Sequence, residues 1–194
     1  MQSPETTERL KAEYPQYISV DIETSGPEPG GYAMLSIGAC QVADETRRFY
    51  AELQPDRSGA TPEAMTVSRL SLEDLARDGL PAGEAMRQFA EWLAMIVPGE
   101  KCPVFVAFNA AFDWMFVNDY FLRYLGQNPF GHSALDIKAY YMGMRGVPWA
   151  ETSYHRISTY YHERDRLLHH ALEDALDQSH LFNRILAERL NLDR

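Results

Sequence analysis

The chain has 194 residues, 45% of them apolar and 24% charged, and a formal net charge of −10. That length suits one globular domain with its own core, spanning residues 1–194 with 1–15 as a loose N-terminal extension. The acidic balance argues against wrapping long duplex nucleic acid, which needs many phosphate-neutralising cations, but is compatible with chemistry at a nucleic-acid end.

The opening residues, MQSPETTERLKAEYPQ, are polar and carry no apolar stretch of a signal peptide. No segment is apolar over enough residues to span a bilayer, so no membrane partner is expected. Cys40 and Cys102 both lie in apolar, strand-like surroundings without metal-ligand spacing. They read as two buried thiols in a reducing cytoplasm.

Residues 17–22 read as a first strand, 35–42 as a second, more apolar one, and 47–53 as a third, with residues 43–46 as the hairpin turn between the last two. Gly26, Pro27, Pro29, Gly30 and Gly31 interrupt the chain after the first strand and imply a glycine-rich loop whose backbone can approach another group closely. Thr61-Pro62 and Ser71 followed by Glu73 and Asp74 mark two helix starts. Residues 82–97 form an amphipathic helix, with Met86, Phe89, Ala90, Leu93, Ile96 and Val97 at spacings of three and four. Pro98-Gly99 ends it. Residues 103–108 read as a short buried strand and 110–125 as a helix stopped by Gly126. Residues 134–144 and, more weakly, 153–161 read as further helices, and 170–190 as a long amphipathic one. A three-strand antiparallel meander followed by alternating helices and strands implies an α/β fold, a mixed sheet covered by helices.

Four acids sit in apolar segments: Asp21 and Glu23 on the first strand, Asp113 in the first turn of a helix, and Asp174 near the start of the last one. Asp21 and Glu23, two residues apart on a strand, point to one face. Buried carboxylates are costly unless they are paired or bind a metal. The segments DIETSGPEPGGYAMLSIGACQV and VFVAFNAAFDWMFV contain no Lys or Arg. Such carboxylates suit hard divalent ions with oxygen ligands, Mg²⁺ or Mn²⁺. Two ions would stabilise the attacking and leaving oxygens of a phosphodiester displacement. Either His169 or His170 can serve as the base for the attacking water.

The segments DIET, FNAAFD and HHALEDA, in this order, resemble the three motifs of the DEDDh exonucleases, 3′-5′ exonucleases of the RNase H-like superfamily. The first family motif, D-x-E-T, is matched by Asp21, Glu23 and Thr24. The second, H-N-A-x-F-D, is matched at Asn109, Ala110, Phe112 and Asp113, and the third, H-x-A-x-x-D, by His169, Ala171 and Asp174. The LSIGA segment from Leu35 to Ala39 is similar to the family's second strand. The resemblance spans nearly the whole chain.

It implies an RNase H-like mixed sheet and removal of nucleoside 5′-monophosphates from the 3′ ends of DNA or RNA. Asp21, Glu23, Asp113 and Asp174 would hold two divalent ions, Mg²⁺ or Mn²⁺, and His169 would be the general base. Thr24, Asn109 and Met34 would lie against the terminal nucleotide. The family's histidine precedes its last Asp by five residues, which selects His169. Five helical positions turn about 500°, so His169 is expected just before the helix rather than on the Asp174 face. The runner-up, His170, would share that face. One residue departs from the family: Phe108 stands where a histidine is usual, and it reads as core or as a stacking surface. The acidic surface favours single-stranded or frayed ends, and homodimers occur among family members. Two other readings fit the same residues: an exonuclease-fold binding module without activity, and a phosphohydrolase of small nucleotides.

Overall fold

The computed structural model describes residues 4–97, 99, 101–163 and 168–192. Five strands form one sheet, β1 (Tyr17–Thr24), β2 (Met34–Gln41), β3 (Asp44–Glu52), β4 (Val104–Ala107) and β5 (Ala134–Asp136), in the order β3-β2-β1-β4-β5. The first three pair antiparallel, while β4 runs parallel to both β1 and β5. The fold is thus the expected mixed α/β sheet. The strand β5 corrects the expectation of a helix from residue 134: the helix α6 starts only at Ile137 and runs to Arg145. A strand of three residues is too short to show a period, and Asp136 ends it by capping α6, its Oδ1 accepting from the Ala139 N–H at 2.7 Å.

Helices α2 (Pro62–Ser68) and α3 (Leu72–Asp78) start at Thr61 and Ser71, whose hydroxyls accept from Ala64 N–H and Asp74 N–H. Two helices, α4 (Ala82–Ile96) and α5 (Ala110–Leu125), cover one face of the sheet. Their core joins Ile18, Val20, Ile22 and Ile37 to Phe89, Phe116, Tyr120 and Phe121. On the opposite face lie α6, α7 (Tyr154–Tyr161), α8 (Ala171–Leu192) and α1 (Pro4–Glu13). Leu10 of α1 joins Val106, Ile157, Phe182 and Ile185 in that core. No helix among the described residues is long and apolar enough to cross a membrane.

The alternation of β1 divides its chemistry. Ile18, Val20 and Ile22 enter the α4–α5 core, while Ser19 and Asp21 bond to α8. Small residues let α8 sit close: Ser19 Oγ donates to the Ala175 carbonyl at 2.8 Å, and buried Cys40 lies beneath the same carbonyl. Gly38 is the tightest point. A Cβ there would lie 2.2 Å from the backbone nitrogen of Leu172 and 2.3 Å from the Ala171 carbonyl carbon. Gly38 pairs with Asp21 across the sheet, so this approach sets the first turn of α8 over the β1 carboxylates.

The connection from β1 to β2 is held by hydrogen bonds. Both Glu28 carboxylate oxygens accept from backbone, Gly30 N–H at 2.6 Å and Gly31 N–H at 2.9 Å. Ser25 Oγ donates to the Gly59 carbonyl, and the Ser25 carbonyl accepts from Thr61 N–H. Behind it, Asp56 accepts from Tyr120, Tyr124 and Arg123 of α5. Of the cysteines, Cys40 is buried, with burial pushing its thiol up to about 12, but Cys102 is exposed. The expectation of two buried thiols fails for Cys102 because it lies two residues before β4, outside the sheet.

Candidate active site

Pairing between β1 and β4 ends at Ser19 and Val106, so β1 continues past the carboxyl end of its neighbour. Crevices beyond strand carboxyl ends are where open α/β sheets place their ligands. Here the crevice is a cleft of about 500 Å³. Asp21, Glu23 and Thr24 line its floor from β1, Phe108, Asn109, Phe112 and Asp113 one side, and His169 and Asp174 another. Gly26, Pro27, Thr61, Glu63, Ala64 and Val67 complete the rim. Among the described residues that line it there is no Lys and no Arg.

Each acid is held differently. Asp113 Oδ1 accepts from Ile22 N–H at 3.2 Å, on the β1 edge that β4 has left free. Asp174 takes two backbone donors, Leu168 N–H at 2.6 Å and His169 N–H at 2.8 Å. Asp21 accepts from the Gln178 amide at 2.5 Å. Glu23 is buried and makes no hydrogen bond to another described side chain, and its carboxylate lies with His169 and Asp174 so that one ligand atom from each falls within 4.8 Å of the others.

Burial, together with neighbouring carboxyls, raises the pKa values of Asp21, Glu23 and Asp113. Burial, then the charges of Asp113, Asp174 and Glu23, push Asp21 well above the usual carboxylate range. Burial, then Asp174, brings Glu23 to about 7, and burial brings Asp113 to about 8. A carboxyl cluster that resists ionisation fits a cation, which restores the charged form.

Asn109 and His169 stand at either side of the cleft with positive φ of 65° and 59°. Neither is glycine, so both backbones hold a left-handed conformation that costs energy. At His169 the backbone N–H bond to Asp174 accompanies it, and the ring is exposed at the cleft. His170 points elsewhere: its ring stacks on Tyr50 with centroids 4.9 Å apart, outside the cleft lining. The helix begins at Ala171, after both histidines.

Thr24 lines the cleft with its hydroxyl donating to the Gly26 carbonyl, and the Asn109 side chain makes no helix-capping bond. Met34 is the exception among the expected contacts. It is fully buried in the α4–α5 core, with its N–H on the Tyr120 hydroxyl, and does not line the cleft. The register shift between Glu23 and Thr24, opposite Met34, turns the side chain inward.

Two side chains that sequence patterns did not single out position the others. Gln178 donates to Asp21 and its Oε1 accepts from Phe108 N–H at 2.8 Å, joining α8, β1 and the end of β4. It follows Asp174 by four residues and so shares its helix face, the one signal available in the sequence. Asp136 Oδ2 accepts from Ala110 N–H at 2.7 Å at the start of α5. Gln178→Leu leaves the half-buried Phe108 N–H and the buried Asp21 carboxyl without partners and is expected to lower stability by about 1–3 kcal/mol. Urea titration reads this directly; an unchanged midpoint would show that solvent replaces both bonds.

Residues 16–186 match the family described as the 3′-5′ exoribonuclease Rv2179c-like domain. The chain belongs to this family. It is 47% identical over 180 residues to the 3′-5′ DNA exonuclease Cap18 of Escherichia coli, covering 92% of this chain and 96% of that one. Solved structures share the fold at low identity. The nuclease domain of 3′hExo, a DEDDh member bound to rAMP, superposes with a TM-score of 0.76 at 13% identity, over 91% of this chain and 94% of that one. The E. coli ExoI–ssDNA complex in its zinc-bound form gives 0.69 at 14%, over 91% of this chain and 41% of that one. The Rv2179c-like chain described here is accordingly a 3′-5′ exonuclease with an RNase H-like fold.

Proposed function

We propose that residues 1–194 act as one exonuclease domain, in which Asp21, Glu23, Asp113 and Asp174 hold two divalent cations, Mg²⁺ or Mn²⁺, and His169 is the general base. The observation that carries this reading is the cleft itself, four carboxyl groups with no cationic side chain among the described residues around them. The fit to cations rests on the raised pKa values of Asp21, Glu23 and Asp113 and on the convergence of Glu23, His169 and Asp174. When bound, the cations would polarise the phosphodiester and offset charge on its attacking and leaving oxygens.

The chain's own groups do the rest. Asp174 holds the backbone of residues 168 and 169, aiming the His169 ring into the cleft. The His169 imidazole takes a proton from the attacking water, whose oxygen bonds to the phosphorus as the bond to the upstream 3′-oxygen breaks; the terminal nucleoside 5′-monophosphate is released and the new 3′-hydroxyl of the shortened strand takes its proton from solvent. Thr24 and Asn109 flank that nucleotide, and Val67, Ala64 and Phe112 offer its base an apolar wall. The substrate is a single-stranded or frayed 3′ end of DNA or RNA. The family description names RNA and that of the E. coli relative names DNA.

The test is a time course with 5′-labelled single-stranded DNA and RNA in Mg²⁺, Mn²⁺ or EDTA. A ladder shortening from the 3′ end with metal and not with EDTA is expected, and the faster polymer identifies the sugar. No shortening of either polymer in either metal would overturn the proposal. His169→Ala is expected to lower kcat by roughly 10²–10⁴-fold while Mn²⁺ still raises the melting temperature. If His170→Ala has that effect instead, the base is misassigned.

A further inference from the structure

Outside the cleft, the surface beside Phe108 combines an exposed aromatic ring with a cation that no described carboxylate pairs. Trp149 opens a single 3-10 turn, Trp149–Glu151, after α6 and is 53% exposed. The Lys138 ammonium, on the first turn of α6, lies 4.3 Å from the Trp149 ring centroid and 5.9 Å from that of Phe108. Lys138 makes no ion pair with any described residue. Phe108, half-buried and braced edge-to-face on Tyr154, belongs both to this patch and to the cleft wall. The patch is therefore continuous with the cleft, beginning where the usual family histidine is replaced by Phe108.

A polyanion that places its 3′ end among the carboxyls must leave by one side. The α2 rim contributes Glu63 and no cation. The Phe108 side contributes Lys138, whose charge lies near two rings and against no carboxylate of a described residue. An exposed lysine–tryptophan pair stabilises a fold by only about 0.5–1 kcal/mol, which leaves the large exposed ring without a structural need. Aromatic faces beside a cation are what single-stranded nucleic acid uses, bases on rings and phosphate on the ammonium.

We propose that Phe108, Lys138 and Trp149 form the site for nucleotides on the 5′ side of the scissile bond, with a base stacked on Trp149 and a phosphate on Lys138. The site rests on the reading of the cleft as a 3′-end exonuclease centre and extends it to the strand that remains. It makes the enzyme prefer an unpaired strand of several nucleotides over a single esterified nucleotide, because a base held in a duplex cannot present its face to the ring.

The test compares the p-nitrophenyl ester of thymidine 5′-monophosphate, which has no upstream nucleotide, with a short single-stranded oligomer. In Trp149→Ala, kcat/KM on the oligomer relative to that on the ester is expected to fall roughly tenfold, mainly through KM, and Trp149→Phe should recover most of it. In Lys138→Gln, the slope of log affinity against log salt should become shallower by about 0.7. Oligomer affinity in EDTA, read by fluorescence anisotropy, provides the same comparison without turnover. An unchanged ratio and affinity in Trp149→Ala, or equal losses on ester and oligomer, would overturn the site while leaving the cleft reading intact. A wild-type protein that turns over neither substrate would overturn both.

Discussion

Asp113→Asn is expected to lose turnover and to make the metal-free protein more stable. The side chain keeps its oxygen for the Ile22 N–H, so the start of α5 stays in place. What disappears is a buried charge. The Asp113 carboxyl titrates at about 8 in the folded chain, chiefly through burial, against 3.8 for the ordinary group. A carboxyl whose pKa is raised by folding binds more protons folded than unfolded, so stability falls as pH rises from about 4 to about 8. Glu23 acts the same way between 4.5 and about 7. The gain from Asp113→Asn is therefore largest near pH 8 and fades toward pH 4. A gain of about 2 kcal/mol at pH 8 corresponds to roughly 4–8 °C in melting temperature for a chain of this size. Saturating Mn²⁺ should reverse the order, because it stabilises the wild type far more than the variant. Losing several kcal/mol of cation-mediated stabilisation in the transition state lowers the rate about 10³-fold or more. Calorimetry across pH in EDTA and in Mn²⁺, beside the oligomer assay, reads each part. A variant less stable than wild type at pH 8 in EDTA, or one with full turnover, would remove Asp113 from the cation site.

Gly38→Ala should disable the enzyme from the far side of the sheet. The added methyl meets backbone atoms of Ala171 and Leu172, which cannot rotate away as a side chain tip can. The first turn of α8 must lift. Overpacking of this kind costs about 1–3 kcal/mol, or roughly 2–12 °C of melting temperature. The functional loss is the larger effect. Asp174 is in that first turn and holds residues 168 and 169, so both move with it. A displacement near 1 Å at a reacting centre can cost about 10²-fold. The expected signature is a folded protein with weakened cation stabilisation and low kcat. A variant with wild-type kcat would show that α8 accommodates the methyl without moving Asp174.

The two variants separate what the acids do from what the scaffold does. Asp113→Asn removes charge at fixed geometry, and Gly38→Ala shifts geometry at fixed charge. Gln178 lies between these extremes, since its one amide serves both a carboxyl and the end of β4. The wild-type cleft is arranged at a cost to the metal-free fold, visible in the raised carboxyl pKa values and in the left-handed backbones of Asn109 and His169.

The residue order alone specified the antiparallel meander, the helix over residues 110–125 and its stop at Gly126, because period, capping residue and terminator act locally. It also marked Asp21, Glu23, Asp113 and Asp174, since acids in apolar segments without lysine or arginine stand out whatever the fold. Tertiary structure decided the rest. Strand β5 exists because β4 offers it a parallel edge, which three residues cannot announce. Met34 points into the core because of a register shift between two strands, and Cys102 is exposed because β4 begins only after it. The bonding partners of Gln178, a residue from α8 serving Asp21 and Phe108, lie 157 and 70 positions away. The same long-range packing brings four acids from three separate segments into one cleft, because only the folded sheet sets β1, α5 and α8 around a single strand end.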